Sequence, residues 1–450
     1  MYQKTNDNKS YIPIPLPMNN NDTIFALSSG HGKSGVAVIR ISGDDLSDTF
    51  AKFINKSDIK NRYSYFVNLR DDANELIDQC LVVYFPGPNS FTGQDVIELH
   101  THGAPAVINA VFNYLTKLGM RMATPGEFSR RAFYNNKMDL ADIDGLAALL
   151  DAQTDIQRKH ALQSMLGRDS DIYNTWRNKM VEISAYAAAI LDYSPDDLPI
   201  NIGETVQKSA KRLCDEINTA LDNYKTSRAI RGGINIVLVG ETNVGKSSIF
   251  NYMVGSNRAI VSDIAGTTRD VVSTTLDIDG YMVNLSDTAG IRETDDIIEN
   301  IGIERTKSEI ENADIIIRVY TPETAVQTDF TDKEIVVINK SDTTQTHNNK
   351  NAIYTSAKSG DGMDKLMTVL RQKIHTIMDG TENNLVLNAR TKGLLESAHQ
   401  ELSNALTSGE NYDIFAEHTR RAADAIGKIL GTITANEVLD MTFGQLCLGK

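Results

Sequence analysis

No window of the 450-residue sequence holds the ~18 unbroken apolar residues that a membrane-spanning helix requires, so anchoring by such a helix is excluded. Cysteine is scarce. Cys80, Cys214 and Cys447 have no C-x-x-C spacing, which removes a zinc ribbon, argues against a disulfide framework and points to a reducing, cytoplasmic setting. Positive charge is in deficit: 45 Lys plus Arg stand against 59 Asp plus Glu, a net charge of −14. That balance argues against a protein held on nucleic acid mainly by counterion release, although it permits a local basic surface. Proline is thin, with none between Pro125 and Pro195 and only Pro322 after Pro199, which permits long helices. The first twenty residues are polar and Asn-rich around an IPIPLP stretch and lack a signal-peptide apolar segment, so residues 1–21 are expected to be a flexible tail. What remains is an ordinary globular chain, long enough for about three domains at roughly 150 residues each.

The texture changes along the sequence. GVAVIRIS (Gly35–Ser42), CLVVYF (Cys80–Phe85) and DVIELH (Asp95–His100) predict strands, followed by a helix from about Ala104 to Leu118. Ile172, Trp176, Met180, Ile183, Ala187 and Ile190 recur at steps of three and four, one apolar face of a helix. Phe415, Thr419, Ala422, Ile426, Ile429 and Ile433 repeat that pattern less strictly, and both stripes are expected in a helical-bundle core. Between them, INIVLVG, YMVNLSD, DIIIRVY, EIVVINK and AIYTSA are short β-rich runs spaced widely enough for helices, the rhythm of a doubly wound sheet. This second α/β block is expected to be inserted between two halves of a helical domain.

Gly240–Ser247 fits G-x-x-x-x-G-K-[ST], placed between the apolar strand Ile234–Val239 and a predicted helix, Ser248–Val254. Such a loop turns successive N–H groups toward phosphate oxygens; Lys246 reaches the terminal phosphates and the Ser247 hydroxyl suits Mg²⁺. Asp287-Thr288-Ala289-Gly290 ends the strand Tyr281–Ser286, where Asp287 can hold the metal through water and Gly290 can offer its N–H to the γ-phosphate. Asn339-Lys340-Ser341-Asp342 closes the strand Ile335–Ile338, and a carboxylate there accepts two N–H donors from guanine but not from adenine; Ser356-Ala357-Lys358 supports the same base. Four signals in order on four strand ends imply GTP binding and hydrolysis. Ile291 occupies the place of the water-orienting Gln of Ras-like enzymes, so another residue must do that work, with Arg292, Glu293, Asp295, Asp296, Glu299 and Glu304 as neighbours. Gly266-Thr267-Thr268-Arg269-Asp270 lies where a switch loop belongs, and Thr268 is favoured to complete the Mg²⁺ shell.

From about Asp22 to Lys450 the chain resembles the MnmE (TrmE) family, GTPases of tRNA wobble-uridine modification. The resemblance is carried by PGPNSFTGQDVIELH (Pro86–His100), ATPGEFSRRAF (Ala123–Phe133), DIAGTTRD (Asp263–Asp270), DTAGIRE (Asp287–Glu293), IGIERT (Ile301–Thr306) and CLGK (Cys447–Lys450). It implies a multidomain α/β and all-α fold: an N-terminal α+β tetrahydrofolate-binding and dimerisation domain over 22–135, a helical domain over 136–230 and 380–450, and an inserted Ras-like P-loop G domain over 231–379. It further implies K⁺ beside the nucleotide in the part of an arginine finger, with Asn243 as side-chain ligand and Ser262, Ile264 and Thr267 lining the loop around it. The family's water-orienting glutamate falls on Glu299, which stands with Lys246 and Arg292 as a catalytic candidate. The GTP-contacting set becomes Asn243, Val244, Gly245, Lys246, Ser247 and Ser248; Ser262, Asp263, Ile264, Ala265, Gly266, Thr267 and Thr268; Asp287, Thr288, Ala289 and Gly290; Asn339, Lys340 and Asp342; and Ser356, Ala357 and Lys358.

The folate residues carry over as Arg40, Glu98, Lys137 and Lys450, and Cys447 as a possible participant in the chemistry. A carboxylate can pair with a pterin's amino-pyrimidine edge and cations with folate's glutamate tail. The resemblance also implies a homodimer, a heterotetramer with the flavoprotein MnmG (GidA) carrying FAD, a formyl or methylene tetrahydrofolate, and tRNA as substrate. His100-Thr101-His102-Gly103-Ala104 departs from the family, which commonly ends in a Gly pair, so Ala104 is expected to tighten the loop before the helix. The two His share a strand face, but no third His or Cys lies near in sequence to complete a zinc site. The rival readings are a regulatory or ribosome-assembly GTPase acting as a binding switch, which has no need of the segment 22–133, and an ion-linked membrane GTPase, which the lack of a spanning segment disfavours.

Overall fold

In the computed structural model the described residues are 22–55, 59–260, 272–287, 308–324, 331–343, 351–380, 384–431 and 449. They divide into two units, Met1–Leu140 with Thr434–Lys450, and Ala141–Ile433. Residues 1–21 and Ile433 lie outside the described set.

The first unit runs β1 (Ile24–Leu27), β2 (Ser34–Gly43), α1 (Ser47–Ile54), β3 (Ser64–Arg70), β4 (Leu76–Phe85), β5 (Asp95–Gly103), α2 (Pro105–Lys117), β6 (Arg121–Met122) and α3 (Glu127–Tyr134). Its sheet has the order β3-β4-β5-β2-β1-β6 and is antiparallel except where β6 pairs β1. Strict alternation along β3 sends Tyr65, Val67 and Leu69 inward against Phe50 of α1 and Leu115 of α2. The opposite face leaves Phe66 70% and Leu81 41% exposed and sets Arg40 directly across from Glu98. Helix α2 opens with Pro105 at its first turn, where the missing N–H is an orphan in any case. Ala104 has an ordinary extended backbone (φ −83°, ψ 132°), which any residue adopts, so glycine is not required at that position.

The second unit opens with α4 (Leu140–Asp151), α5 (Asp155–Met165), α6 (Arg168–Asp192), α7 (Ile202–Asp222) and α8 (Tyr224–Gly232). The α/β block follows: β7 (Ile234–Val239), α9 (Lys246–Ser256), β8 (Arg258–Ile260), β9 (Val272–Ile278), β10 (Tyr281–Asp287), β11 (Ile315–Tyr320), β12 (Glu334–Ile338), β13 (Ile353–Tyr354) and α10 (Met363–Met378). Helices α11 (Ala389–Thr407) and α12 (Tyr412–Leu430) come last. The sheet order is β13-β12-β11-β7-β10-β9-β8, parallel from β13 to β10 and antiparallel at β9 and β8. Its apolar runs, such as Ile234-Ile236-Leu238 and Ile315-Ile317-Val319, pack against Ile249 and Met253 of α9 and Leu366 and Leu370 of α10.

Helices α6, α7, α11 and α12 share one core although the α/β block separates them in sequence. Trp176, Met180 and Ile183 of α6 meet Leu213 and Ile217, Leu395 and Leu402, and Phe415 and Ile426. The insertion is therefore a packing fact: neither helical half can bury its stripe alone, and each fully buried Leu, Ile or Phe contributes about 1.5–3 kcal/mol. The ends of the first stripe, Ile172 and Ile190, are only half-buried. Gln157 joins bundle to sheet. Its Oε1 accepts from Thr154 N–H at 3.2 Å in a capping box, while its Nε2 donates to the carbonyls of Ile230 (3.0 Å) and Arg231 (3.2 Å) at the end of α8.

Candidate functional site

The phosphate loop lies between β7 and α9, at the carboxyl end of the parallel strands, where ligands of open α/β sheets bind. Its shape requires positive φ at two residues: Asn243 at +63°, exposed at the loop, and Gly245 at +99°. At Gly245 a Cβ would also collide with Asn339 Nδ2, so only glycine fits. Val244 is buried, and the helix begins at Lys246, two residues before the start expected from sequence. Lys246 is itself buried, its Nζ donating to the carbonyls of Gly240 and Glu241 at 2.7 Å each. Burial pushes its ammonium pKa down, and the Asp287 charge opposes that only in part. Such a cation gains from an anion brought beside it.

Ser247 Oγ donates to Asp287 Oδ2 at 2.9 Å, so the hydroxyl and carboxylate assigned to the metal from sequence meet at one point. Two hard oxygen donors beside a phosphate loop suit Mg²⁺. Asn339, 3% exposed, cross-links the site: its Nδ2 donates to the Val244 carbonyl at 2.8 Å, and its Oδ1 accepts from the Ala357 N–H at 3.1 Å and the Thr355 hydroxyl at 3.3 Å. One side chain thus ties the phosphate loop to both loops read as base-recognising. Lys340 has φ +58°, Asp342 is exposed in the short turn Ser341–Thr343, and Ser341 N–H donates to the Thr355 carbonyl at 3.0 Å. Ser356 is buried with its N–H on the Asp361 carbonyl at 2.9 Å, and Lys358 and Ser248 are exposed. Ser262, Asp263, Ile264, Ala265, Gly266, Thr267, Thr268, Thr288, Ala289, Gly290, Arg292 and Glu299 lie outside the described residues.

The first unit has its own cluster. Arg40 donates from Nε (3.0 Å) and Nη2 (2.9 Å) to Glu98 Oε1, and from Nη1 (3.3 Å) to the carbonyl of Gly449. Its Cζ stands 5.1 Å from the centre of the Phe91 ring, a cation–π contact. The Arg40 and Glu98 side chains each keep 18% of their surface exposed, so a ligand can reach the pair. Lys137 is exposed in the turn after α3, its stem beside Gly93 in the loop that carries Phe91. Glu98 Oε2 lies 3.3 Å from His100 Nε2, whereas His102 Nδ1 lies 2.7 Å from Asp78 Oδ1. The two His therefore address different carboxylates. Cys447 and Lys450 lie outside the described residues, while Gly449 between them belongs to the first unit. Phe91 and Gly449 sit inside quoted motifs, but nothing local in the sequence marked them.

Comparison with known proteins follows these two places along the chain. Residues 23–137 match the family described as the GTP-binding protein TrmE N-terminus, and residues 140–447 that described as the MnmE helical domain. The chain is 39% identical over 438 residues to the tRNA modification GTPase MnmE of Agrobacterium fabrum, covering 95% of this chain and 99% of that one. It is 38% identical to the protein of that name from Wolbachia pipientis (96% and 100% covered) and 35% identical to that from Aquifex aeolicus (95% and 100% covered). Among solved structures, the G domain of the T. maritima FeoB iron transporter aligns with 32% of this chain and 98% of its own at 22% identity, with a TM-score of 0.23.

Proposed function

The chain belongs to the MnmE family of tRNA modification GTPases, and on that footing we propose a K⁺-dependent, dimerisation-activated enzyme of the tRNA wobble uridine. With a flavoprotein partner of the MnmG (GidA) type, in a heterotetramer, it installs a carboxymethylaminomethyl or aminomethyl group on carbon-5 of that base. The carbon comes from a formyl or methylene tetrahydrofolate, and FAD resides on the partner. The observation that carries the reading is the assembly of Lys246, Ser247, Asp287 and Asn339 at one sheet end.

In this reading Lys246 and the N–H groups at the start of α9 hold the phosphates of GTP. Charge grows on the phosphoryl oxygens as the last anhydride bond breaks, so fixed positive groups stabilise the transition state more than the bound nucleotide. Asp342 takes the N–H edge of guanine, with Ser356, Ala357 and Lys358 behind it. Glu299 orients the attacking water, and Arg292 stands in reserve on the same segment. Ser247 and Thr268 would hold Mg²⁺, which neutralises phosphate charge when bound. Asn243, with Ser262, Ile264 and Thr267, would hold K⁺, which supplies the charge an arginine finger gives elsewhere.

Arg40, Glu98, Lys137 and Lys450 bind the folate, and Cys447 lies three residues before that lysine as a group for the chemistry. The exposed Phe66 and Leu81, on the sheet face that holds Arg40 and Glu98, offer apolar area for a second copy to cover. A net charge of −14 fits a cytoplasmic division of labour in which the partner makes most of the tRNA contact.

GTP turnover in KCl should exceed that in NaCl at equal ionic strength by about tenfold or more. Equal rates would strip Asn243 of its role. Titration of the full chain with formyl-tetrahydrofolate is the companion test, and no binding would favour a regulatory switch GTPase.

A further inference from the structure

We propose that Gly449 is a positioning residue, latched against the end of β1 and fixing how Arg40 presents its guanidinium to an anionic ligand. The ligand's identity rests on the folate reading above; the latch does not. Gly449 is buried and has φ +91°, in the region that disfavours every residue with a Cβ. A Cβ there would stand 2.5 Å from the Leu27 carbonyl oxygen and 2.8 Å from both Cα and Oγ of Ser28. Two of those atoms are backbone of β1 and its immediate extension, which cannot turn aside as a flexible side chain would. Glycine is therefore required twice over, by conformation and by space.

The carbonyl of Gly449 has two donors. Ser28 Oγ reaches it at 2.9 Å and Arg40 Nη1 at 3.3 Å, from positions 421 and 409 residues away in sequence. The Arg40 fork is thereby held from three sides. Glu98 takes the Nε–Nη2 edge, Gly449 takes Nη1, and the Phe91 ring lies 5.1 Å from Cζ. Among the described residues, the remaining N–H groups of the fork have no such claim on them, and 18% of the side chain stays open. A planar guanidinium held this way suits a carboxylate, which it can meet with paired bonds. Both Arg40–Glu98 bonds converge on Oε1, so that pair alone would leave the planar fork free to pivot about one oxygen; the carbonyl on Nη1 removes that freedom, which lowers the ordering cost of binding.

The test uses the full chain as Gly449→Ala, with Ser28→Ala as a milder variant that removes one bond and adds no bulk. Two quantities are read: hydrogen exchange of the peptide carrying Gly449, and affinity for formyl-tetrahydrofolate, both well below the unfolding midpoint. Gly449→Ala should speed exchange and weaken affinity by about tenfold each, and Ser28→Ala by about threefold, with circular dichroism unchanged. Unchanged exchange in both variants overturns the latch. Faster exchange with undiminished affinity overturns the positioning of Arg40, as does a lowered melting temperature with affinity intact. If Gly449→Ala fails to fold, Ser28→Ala decides by the same criteria. A wild-type chain that binds no formyl-tetrahydrofolate overturns the folate reading and Arg40's proposed ligand, while exchange still judges the latch.

Discussion

The two units give their buried cations different partners. In the second, Lys246 is buried with its bonds on neutral carbonyls, and burial pushes its pKa down, as burial also does for Arg131 in the first; the difference lies in the partners. In the first, Arg131 and Arg121 are held by carboxylates: Glu127, 2% exposed, lies 2.7 Å from Arg121 and 3.4 Å from Arg131, and Asp22 closes the network. A compensated ion pair is architecture, and its charges are spent on one another. A buried cation whose hydrogen bonds go to neutral carbonyls is a binding device, since a phosphate relieves the desolvation that the fold imposes. Arg40 stands between these cases, paired with Glu98 yet partly open.

The sharpest way to break this contrast is Lys246→Ala. GTP turnover, read as phosphate release, should fall by about a hundredfold or more, the usual cost of losing one group aimed at developing charge. An equal loss of folate affinity in the same variant would break the separation of the two sites.

Glu127→Gln probes the compensated network. Burial raises the Glu127 pKa, but the Arg121 bonds, the Thr124 N–H and the two guanidinium charges outweigh it and hold the carboxyl below its ordinary 4.5. A carboxyl with a depressed folded pKa stabilises fully above its unfolded value, and that contribution fades as pH falls through the folded one. The wild-type first unit should therefore weaken on acidification below about pH 4.5, whereas Glu127→Gln should lose about 2 kcal/mol at neutral pH and show a flatter acid slope. Urea midpoints across that range give the answer, and parallel slopes would remove Glu127 from the account.

The smallest effect belongs to the intermediate case. Glu98→Gln keeps the shape of the Arg40 site but removes its negative charge, and formyl-tetrahydrofolate affinity should fall by about tenfold in calorimetry. Unaltered affinity would mean that Glu98 serves only to orient Arg40.

Much of this was legible in sequence, and the reason is locality. The phosphate loop spans eight residues, Gly240–Ser247, and its chemistry resides in backbone N–H groups and positive φ values that neighbouring residues dictate. The stripe from Ile172 to Ile190 announced a helix because burial follows helical period. Strands β8 and β9 went unread: β8 is three residues long, and both lie at the antiparallel edge of the sheet, where a continuous apolar run is not needed.

What the sequence by itself determined, then, is where short-range periodicity and contiguous motifs act: the nucleotide loop, the helical stripes and the buried parallel strands. Only the tertiary structure decided that Arg40 would face Glu98, that Asn339 would bind the Val244 carbonyl across 95 residues, and that Gly449 would sit on Ser28. Such partners are chosen by strand register and by which surfaces pack. Both are settled by the burial of the whole apolar set, and no spacing along the chain encodes them.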